Sequence, residues 1–250
     1  MSKIISIHSF RGGTGKSNTT ANVSVLLASQ GYKVGVVDTD IQSPGIHVLF
    51  GFDESDMKYS LNDFLWGNCK IEQAAYDVTE KIGSVDGQLF LIPSSIDAND
   101  IARVLREGYD ISYLNDGLQD LIKALELDVL VIDTHPGLNE ETLLSIAISD
   151  VLAIILRPDQ QDYQGTSVTV EVARKLQVPL LTMVVNKVPE VFDFDDVSAQ
   201  VKQAYDAEVA AILPHSDEMM VLASGGVFVS EFPEHPITKS LKDFATSLMA

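Results

Sequence analysis

The sequence has few residues of several types, and each scarcity excludes a class of protein. It holds one cysteine, Cys69, among 250 residues, so no internal disulfide forms and a reducing compartment is indicated. No apolar run approaches the roughly 18 residues that a membrane-spanning helix needs, and no charged-then-apolar leader follows Met1. These absences predict a cytoplasmic protein that does not span a membrane.

Basic side chains are also scarce. There are 17 Lys and Arg against 36 Asp and Glu, which gives a formal net charge of -19 at pH 7. Nucleic acids and anionic lipids bind to clusters of Lys and Arg, so this balance disfavours both DNA and membrane as partners. The first fifty residues hold more basic than acidic side chains, and a local patch there keeps DNA open as a partner.

The overall composition, 46% hydrophobic and 21% charged, is that of a folded chain with a sizeable core. Short runs rich in Ile, Val and Leu alternate with longer stretches of helical period, which is typical of repeated strand–helix–strand units. We therefore predict an α/β fold in which a doubly wound, mostly parallel sheet is flanked by helices. Two small domains would also fit the length, but no linker interrupts the series, so we expect a single domain over residues 1–250.

Seven strands and six helices follow from these patterns. The predicted strands are Ile4–His8, Val34–Asp38, Leu89–Ile92, Val129–Asp133, Val151–Leu156, Leu180–Asn186 and Val209–Leu213. The predicted helices are Ser17–Gln30, Leu61–Ala75, Asn115–Glu126, Glu140–Ser149, Gly165–Gln177 and Ile237–Met249. The last helix places Leu241, Phe244 and Leu248 on one apolar face without a basic cluster, so we expect it to pack on its own domain rather than on a membrane.

The strongest local signal lies between the first strand and the first helix. There the chain reads Ser-Phe-Arg-Gly-Gly-Thr-Gly-Lys-Ser over residues 9–17. Glycines let successive backbone N–H groups point at phosphate oxygens, and the start of the helix adds its positive end. In such a loop Lys16 would contact the β and γ phosphates, and the Ser17 hydroxyl would bind Mg²⁺. The standard phosphate-loop pattern fails at its first glycine, where Phe10 stands.

The variant pattern from Arg11 to Ser17 resembles the deviant Walker A box of the ParA/MinD family of ATPases, with Arg11 in place of the signature lysine. In that family the lysine reaches across a dimer to the partner's ATP. The resemblance therefore implies an ATP-dependent homodimer clamped by Arg11, whose planar fork suits phosphate although Arg and Lys are not interchangeable. The alternative is a solvated Arg11 beside a nucleotide held within one subunit. The resemblance also implies these ATP contacts: Arg11, Gly12, Gly13, Thr14, Gly15, Lys16, Ser17 and Asn18.

Two further strand ends carry carboxylates. Asp38 and Asp40 are two residues apart, so their side chains lie on the same side of an extended segment. In the family, the aspartate matching Asp40 holds or activates the attacking water, and the one matching Asp38 lies near the metal. Asp133 ends an apolar strand, as a Walker B acid does, so that its carboxylate meets Mg²⁺. The implied metal ligands are Ser17, Asp38 and Asp133, and the implied catalytic residues are Lys16, Asp40 and Arg11.

Three other positions bear on the site. His135 departs from the Asp-Thr-Pro-Pro-Gly that is usual in the family after the Walker B strand. An imidazole can change charge near pH 6.5, so His135 either contacts or senses a triphosphate, or is a tolerated loop substitution. Asn186 stands where the family has an asparagine that reads the adenine edge, and Pro214 lies in the segment beside the base, so both join the expected ATP site.

The resemblance covers nearly the whole chain, with a weak match over residues 53–86. It implies an ATPase that hydrolyses Mg-ATP as a dimerising switch and positions or partitions an intracellular cargo with an activating protein partner. The alternative is a regulatory binding module with slow or no hydrolysis. Iron–sulfur carriers of the wider family need a Cys-x-x-Cys pair, which a single Cys69 cannot supply. The five histidines have no zinc spacing with one another or with Cys69. The only metal that the resemblance implies is Mg²⁺, bound together with the nucleotide.

Overall fold

Runs of Ile, Val and Leu form the eight strands of one sheet in the computed structural model, which describes residues 2–250. The strands are β1 (Lys3–His8), β2 (Lys33–Asp38), β3 (Tyr76–Asp77), β4 (Gln88–Ile92), β5 (Val129–Asp133), β6 (Val151–Leu156), β7 (Leu180–Val188) and β8 (Glu208–Pro214). Their order in the sheet is β3-β4-β2-β5-β1-β6-β7-β8, and every pairing is parallel except that of β3 with β4. The predicted α/β class with a doubly wound, mostly parallel sheet is confirmed.

Helices connect the strands and cover both faces of the sheet. They are α1 (Lys16–Ser29), α2 (Ile46–Leu49), α3 (Leu61–Leu65), α4 (Ala98–Glu107), α5 (Ile111–Leu125), α6 (Glu140–Ile148), α7 (Gln160–Lys175), α8 (Phe194–Tyr205), α9 (Asp217–Leu222), α10 (Phe228–Glu231) and α11 (Pro236–Leu248). Short 3-10 turns at Glu54–Asp56, Ile71–Ala74 and Thr79–Ile82 lie in the connection between β2 and β4.

The strands divide their side chains between apolar clusters on the two faces. Ile5 and Ile7 of β1 join the cluster that contains α1 and α11, whereas Ile4 joins the one that contains α5. In β6, Ala153 joins the α1 cluster and Ile154 a third cluster with α7 and α8. Because both faces are covered, β5 and β6 are buried at every position, and this burial is the main force that stabilises the sheet.

The last helix packs on the protein's own core, as the sequence predicts. α11 buries Leu241, Phe244 and Leu248 in the cluster that also contains α1 and β8. Lys3 donates from Nζ to the carbonyl oxygen of Leu248 at 3.0 Å, which joins the end of α11 to the start of β1. Among residues 2–250 no helix is long and apolar enough to cross a membrane.

All seven predicted strands are present. β5 and β6 have the predicted bounds, and β1, β2, β4 and β8 differ by one residue at one or both ends. β7 continues two residues past Asn186, through an irregular register with β8 in which Lys187 has a φ of 58°. The additional strand β3 is only two residues long, too short for its sequence to show an alternating pattern.

The prediction of one helix over Leu61–Ala75 is wrong. α3 ends at Leu65, Gly67 follows with a φ of 74°, and the chain then forms only a 3-10 turn at Ile71–Ala74. Glycine reaches the left-handed region without steric cost and commonly stands just after the end of a helix. The apolar periodicity of the sequence continues across Gly67, but the helical conformation of the backbone does not.

Most other differences lie at helix starts. α5 begins before the predicted Asn115 and α7 before the predicted Gly165, and α2, α4, α8, α9 and α10 lie outside the predicted helices. Side-chain oxygens accept backbone N–H groups at five of these starts, through Asp97 (α4), Asp110 (α5), Asp159 (α7), Asp193 (α8) and Ser216 (α9). The first N–H groups of a helix lack partners within the helix, so these caps, rather than apolar periodicity, determine where the helices begin.

Candidate nucleotide site

The loop between β1 and α1 lies at the carboxyl edge of the sheet. Gly13 and Gly15 have φ values of 78° and 96°, in the left-handed region that favours glycine. Gly15 is the residue before α1, and it has no side chain with which to cap the helix. The first N–H groups of α1, beginning at Lys16, are therefore available to an anion.

The loop leaves space and an unsatisfied hydroxyl beside it. A Cβ on Gly12 or Gly13 would meet no atom within 4 Å. The hydroxyl oxygen of Thr14 is buried and has no hydrogen-bond partner among the described residues. A buried polar atom without a partner costs free energy until a ligand or water satisfies it. The loop therefore has the donors and the room that phosphate groups require.

Asn186 joins the far side of this loop to the sheet. Its Nδ2 donates to the carbonyl oxygen of Thr14 at 2.8 Å, and its Oδ1 accepts from the backbone N–H of Lys187 at 2.8 Å. Nδ2 also lies where a Cβ on Gly15 would stand, so a larger residue at 15 would displace Asn186. The amide predicted to read adenine is thus also a brace for the phosphate loop.

A cavity of about 170 Å³ lies beside this amide. Its lining includes Asn18, Asn186, Pro214 and Met219, so the two residues predicted to lie at the base, Asn186 and Pro214, line one space together with the predicted ATP contact Asn18. It shares Pro214 and other lining residues with a groove of about 750 Å³. Lys187, which the sequence did not single out, lines both and donates from Nζ to the carbonyl oxygen of Gly13 at 2.8 Å.

Lys16 forms a buried ion pair with Asp133. Nζ lies 3.0 Å from Oδ1, and the two side chains are 6% and 1% exposed. The hydroxyl of Thr20 donates to the same carboxylate oxygen at 3.0 Å. A buried charge is stabilised only if it is paired and hydrogen-bonded, and this pair satisfies the lysine and the Walker B acid together. Ser17 follows Lys16 in the first turn of α1.

Asp38 and Asp133 stand side by side at the ends of β2 and β5. Asp38 is fully buried, and its two oxygens accept from the backbone N–H groups of Asp40 at 3.0 Å and Gly45 at 3.1 Å. Burial, and then the neighbouring charge of Asp133, raise the pKa of Asp38 to about 7. Paired carboxylates that repel one another suit a divalent cation with oxygen ligands, so these residues fit Mg²⁺.

Asp38 predicts a pH dependence of stability with a defined sign. The pKa of its carboxyl is raised in the folded chain, so between about pH 4 and pH 7 the folded state binds more protons than the unfolded state. The free energy of unfolding therefore falls as the pH rises through that window. The free energy of unfolding of Asp38→Asn should lack this dependence. We therefore expect the difference in free energy of unfolding between Asp38→Asn and wild type to shift in favour of the variant by on the order of 2 kcal/mol or more between pH 4 and pH 7.5. Urea unfolding at both pH values, without nucleotide or Mg²⁺, measures this gain, and an equal difference at both values contradicts it.

Asp40 is hydrogen-bonded to His135. The imidazole Nδ1 lies 2.6 Å from Oδ1 of Asp40, with the side chains 22% and 11% exposed. The backbone N–H of Ser43 donates to the same oxygen at 3.2 Å. The ring of His135 therefore contacts the acid that is predicted to act on the attacking water.

Arg11 is paired within its own chain at the start of α7. Its Nη1 lies 3.2 Å from Oδ1 of Asp162 and 3.5 Å from Oδ1 of Asp159, and its side chain is 37% exposed. Asp162 is buried and also accepts from Nε of Arg157 at 3.1 Å. Arg11 is therefore ion-paired as well as partly solvated in this structure. Asp159 and Asp162 were not predicted as site residues, although their spacing is that of an N-cap and the third helical position.

Phe10, at the variant position of the loop, packs on α7. Its ring occupies the place that a Cβ on Gly165 would take. Gly165 of α7 therefore leaves room for the ring of Phe10, which stands in place of the first glycine of the standard pattern. α7 consequently lies directly against the loop.

Comparison with known proteins places this geometry in a family. A model of the AAA domain family matches residues 2–184. An uncharacterized ATP-binding protein of Methanocaldococcus jannaschii is 25% identical over 252 residues, which cover 100% of this chain and 88% of that protein. The septum site-determining protein MinD of Bacillus subtilis is 25% identical over 259 residues, which cover 100% of this chain and 90% of that protein.

One further similarity covers only part of the sequence, and another is a similarity of fold. An iron–sulfur cluster carrier protein of Methanococcus maripaludis is 30% identical over 192 residues, 74% of this chain and 61% of that protein. The solved structure of the septum site-determining protein MinD from Pyrococcus horikoshii, complexed with Mg-ADP, has a TM-score of 0.82 at 22% identity and covers 99% of this chain and 96% of its own. The fold is therefore shared along nearly the full length of both chains.

Proposed function

The chain belongs to the ParA/MinD family of P-loop ATPases, and from that premise we propose that it is an ATP-dependent dimerising switch that hydrolyses Mg-ATP to ADP and phosphate. The observation that carries the proposal is the buried pair of Lys16 and Asp133 beside a loop with two left-handed glycines. This arrangement puts a cation, a carboxylate and free N–H groups around one open space, as phosphoryl transfer requires.

Binding uses the whole edge of the sheet. The N–H groups from Gly12 to Ser17 hold the phosphates, and Lys16 exchanges Asp133 for the β and γ phosphates. Ser17, Asp38 and Asp133 hold Mg²⁺, which supplies charge neutralisation for the phosphate oxygens. The base lies in the cavity lined by Asn18, Asn186 and Pro214.

Hydrolysis depends on Asp40. Its carboxylate is hydrogen-bonded to His135 and, among residues 2–250, forms no ion pair with Lys16, and it orients a water molecule for in-line attack on the γ phosphate. Lys16 stabilises the charge on the transferred group. Loss of the γ phosphate removes the ligand that the two subunits share, and the dimer then dissociates.

Dimerisation depends on Arg11. Its guanidinium leaves Asp159 and Asp162 and binds the phosphates of the partner subunit's ATP. ATP can drive dimerisation only if it binds the dimer better than the monomer, and a clamp that exists only across the dimer supplies that difference. The bonds to Asp159 and Asp162 hold the clamp in place while the subunit is alone.

Molecular mass in solution tests the switch. We expect wild type to be a monomer without nucleotide and with ADP, and a dimer with ATP and Mg²⁺. Arg11→Ala is expected to bind ATP but remain a monomer, because the contact across the dimer is gone. Arg157→Ala is the matched control, because it removes the other guanidinium on Asp162 and leaves the phosphate loop untouched. A wild-type mass that does not respond to nucleotide contradicts the switch, and a dimer of Arg11→Ala contradicts the clamp.

The output of the switch is the positioning or partition of an intracellular cargo. A protein partner reads the ATP-bound dimer and stimulates its hydrolysis. The formal net charge of -19 supports a protein surface, rather than DNA or anionic lipid, as the matrix on which the dimer is distributed.

A further inference from the structure

The contact between His135 and Asp40 joins two loops of the site. Asp40 lies in the loop after β2, and His135 lies in the loop after β5, so the hydrogen bond at 2.6 Å connects residues 95 positions apart. An ionised carboxylate can only accept hydrogen bonds, so Nδ1 is the donor. The imidazole can carry a proton on Nδ1 in its neutral and its charged form, and the contact therefore needs no change of protonation.

The contact selects one oxygen of Asp40. Among residues 2–250, the hydrogen bonds to this carboxylate come from Nδ1 of His135 and from the N–H of Ser43, and both fall on Oδ1. Two donors on one oxygen restrict rotation of the carboxylate group. Its Oδ2 then has a defined direction and remains available to a water molecule.

The backbone on both sides of His135 is held in place. The buried hydroxyl of Thr134, the preceding residue, donates to the carbonyl oxygen of Ile7 at 3.1 Å. The carbonyl oxygen of His135 accepts from the hydroxyl of Thr142 at 3.1 Å. A side chain on an anchored backbone is pre-organised, which is what a group that orients a catalytic residue needs.

We propose that His135 is the positioning residue for Asp40, holding Oδ1 so that Oδ2 orients the water that attacks ATP. This inference rests on the proposed function, because it assigns a role in the same hydrolysis. A positioning role for His135 differs from a purely structural link between the loops in the property that changes when the contact is removed. A structural link would affect stability or nucleotide binding, whereas a positioning residue affects the rate of turnover.

Two variants of His135 separate the Nδ1 contact from the rest of the ring. The amide nitrogen of Asn is bonded to Cγ, as Nδ1 of His is, whereas the amide nitrogen of Gln is bonded to Cδ, one bond further from the backbone. We expect His135→Gln to lower kcat about ten-fold or more, with the KM for ATP within about two-fold of wild type. Losses of this size are typical for residues that do not touch the substrate but orient a group that does. His135→Asn is expected to recover most of the lost kcat. Both variants should keep the ATP-dependent dimer mass and the thermal midpoint of wild type.

A magnetic resonance measurement tests the contact without turnover. In the nucleotide-free protein we expect a downfield proton bonded to Nδ1 of His135, and we expect this signal to disappear in Asp40→Ala. Persistence of the signal in Asp40→Ala overturns the contact.

The outcomes of the kinetic test separate this inference from the proposed function. A wild-type chain that does not hydrolyse ATP overturns both. A wild type that hydrolyses ATP, with His135→Gln at the same kcat, overturns the positioning role alone. Equal losses in the Gln and Asn variants, or a loss that resides in KM, also overturn it, because the effect then does not come from the Nδ1 hydrogen bond.

Discussion

Lys16→Ala is expected to lower kcat/KM for ATP hydrolysis by about 100-fold or more, the loss typical when one charged group that stabilises a transition state is removed. The structure gives the reason. Lys16 is the ammonium paired with Asp133 inside the site, 6% exposed, so neither water nor salt can replace its charge. Steady-state hydrolysis with saturating Mg²⁺, over a range of ATP concentrations, measures the loss.

The same substitution also acts on the unliganded fold. It leaves Asp133 without its ammonium partner next to Asp38, and removal of one member of a buried pair is usually destabilising by several kcal/mol. We therefore include Lys16→Met, which keeps most of the buried volume, and a thermal unfolding curve for each variant. Lys33→Ala is the control, because Lys33 lies at the amino end of β2, at the opposite edge of the sheet. Normal hydrolysis by a folded Lys16→Met protein would contradict the assigned role.

The parts of the fold that the sequence predicts are those set by local pattern. β5 and β6 are continuous apolar runs buried on both faces, and their predicted bounds agree with the structure. Helix ends depend on single residues instead, and Gly67 ends α3 although the apolar period continues beyond it. A method that weighs periodicity alone therefore misses what one cap or one glycine does.

The candidate site shows the same division. The loop from Arg11 to Ser17 and the acids at two strand ends could be found from sequence, because ligands of parallel sheets lie at the carboxyl edge. The partners within the site could not. Arg11 meets Asp162 over 151 positions of the chain, and such pairs follow from strand order and helix packing rather than from local pattern. The role of His135 could not be decided for the same reason.

Asp40→Ala should give the second large effect, an ATP-bound dimer that does not turn over. The carboxylate contacts His135 and the Ser43 backbone and is not paired with Lys16, so its removal leaves the phosphate loop and the ion pair with Asp133 in place. We expect kcat to fall about 100-fold or more, because an unoriented water rarely attacks in line. ATP binding and the dimer mass should match wild type.

A trapped dimer also decides between a hydrolysing switch and a binding module with slow or no hydrolysis. The measurements are dimer mass with ATP and Mg²⁺ over several hours, and phosphate release in the same samples. Asp53→Ala removes an exposed acid later in the chain and should behave as wild type. If the wild-type dimer decays as phosphate is released while Asp40→Ala persists, hydrolysis is the step that ends the dimer. If the Asp40→Ala dimer dissociates with ATP still bound, Asp40 contributes to association instead, and the hydrolytic role assigned to it is wrong.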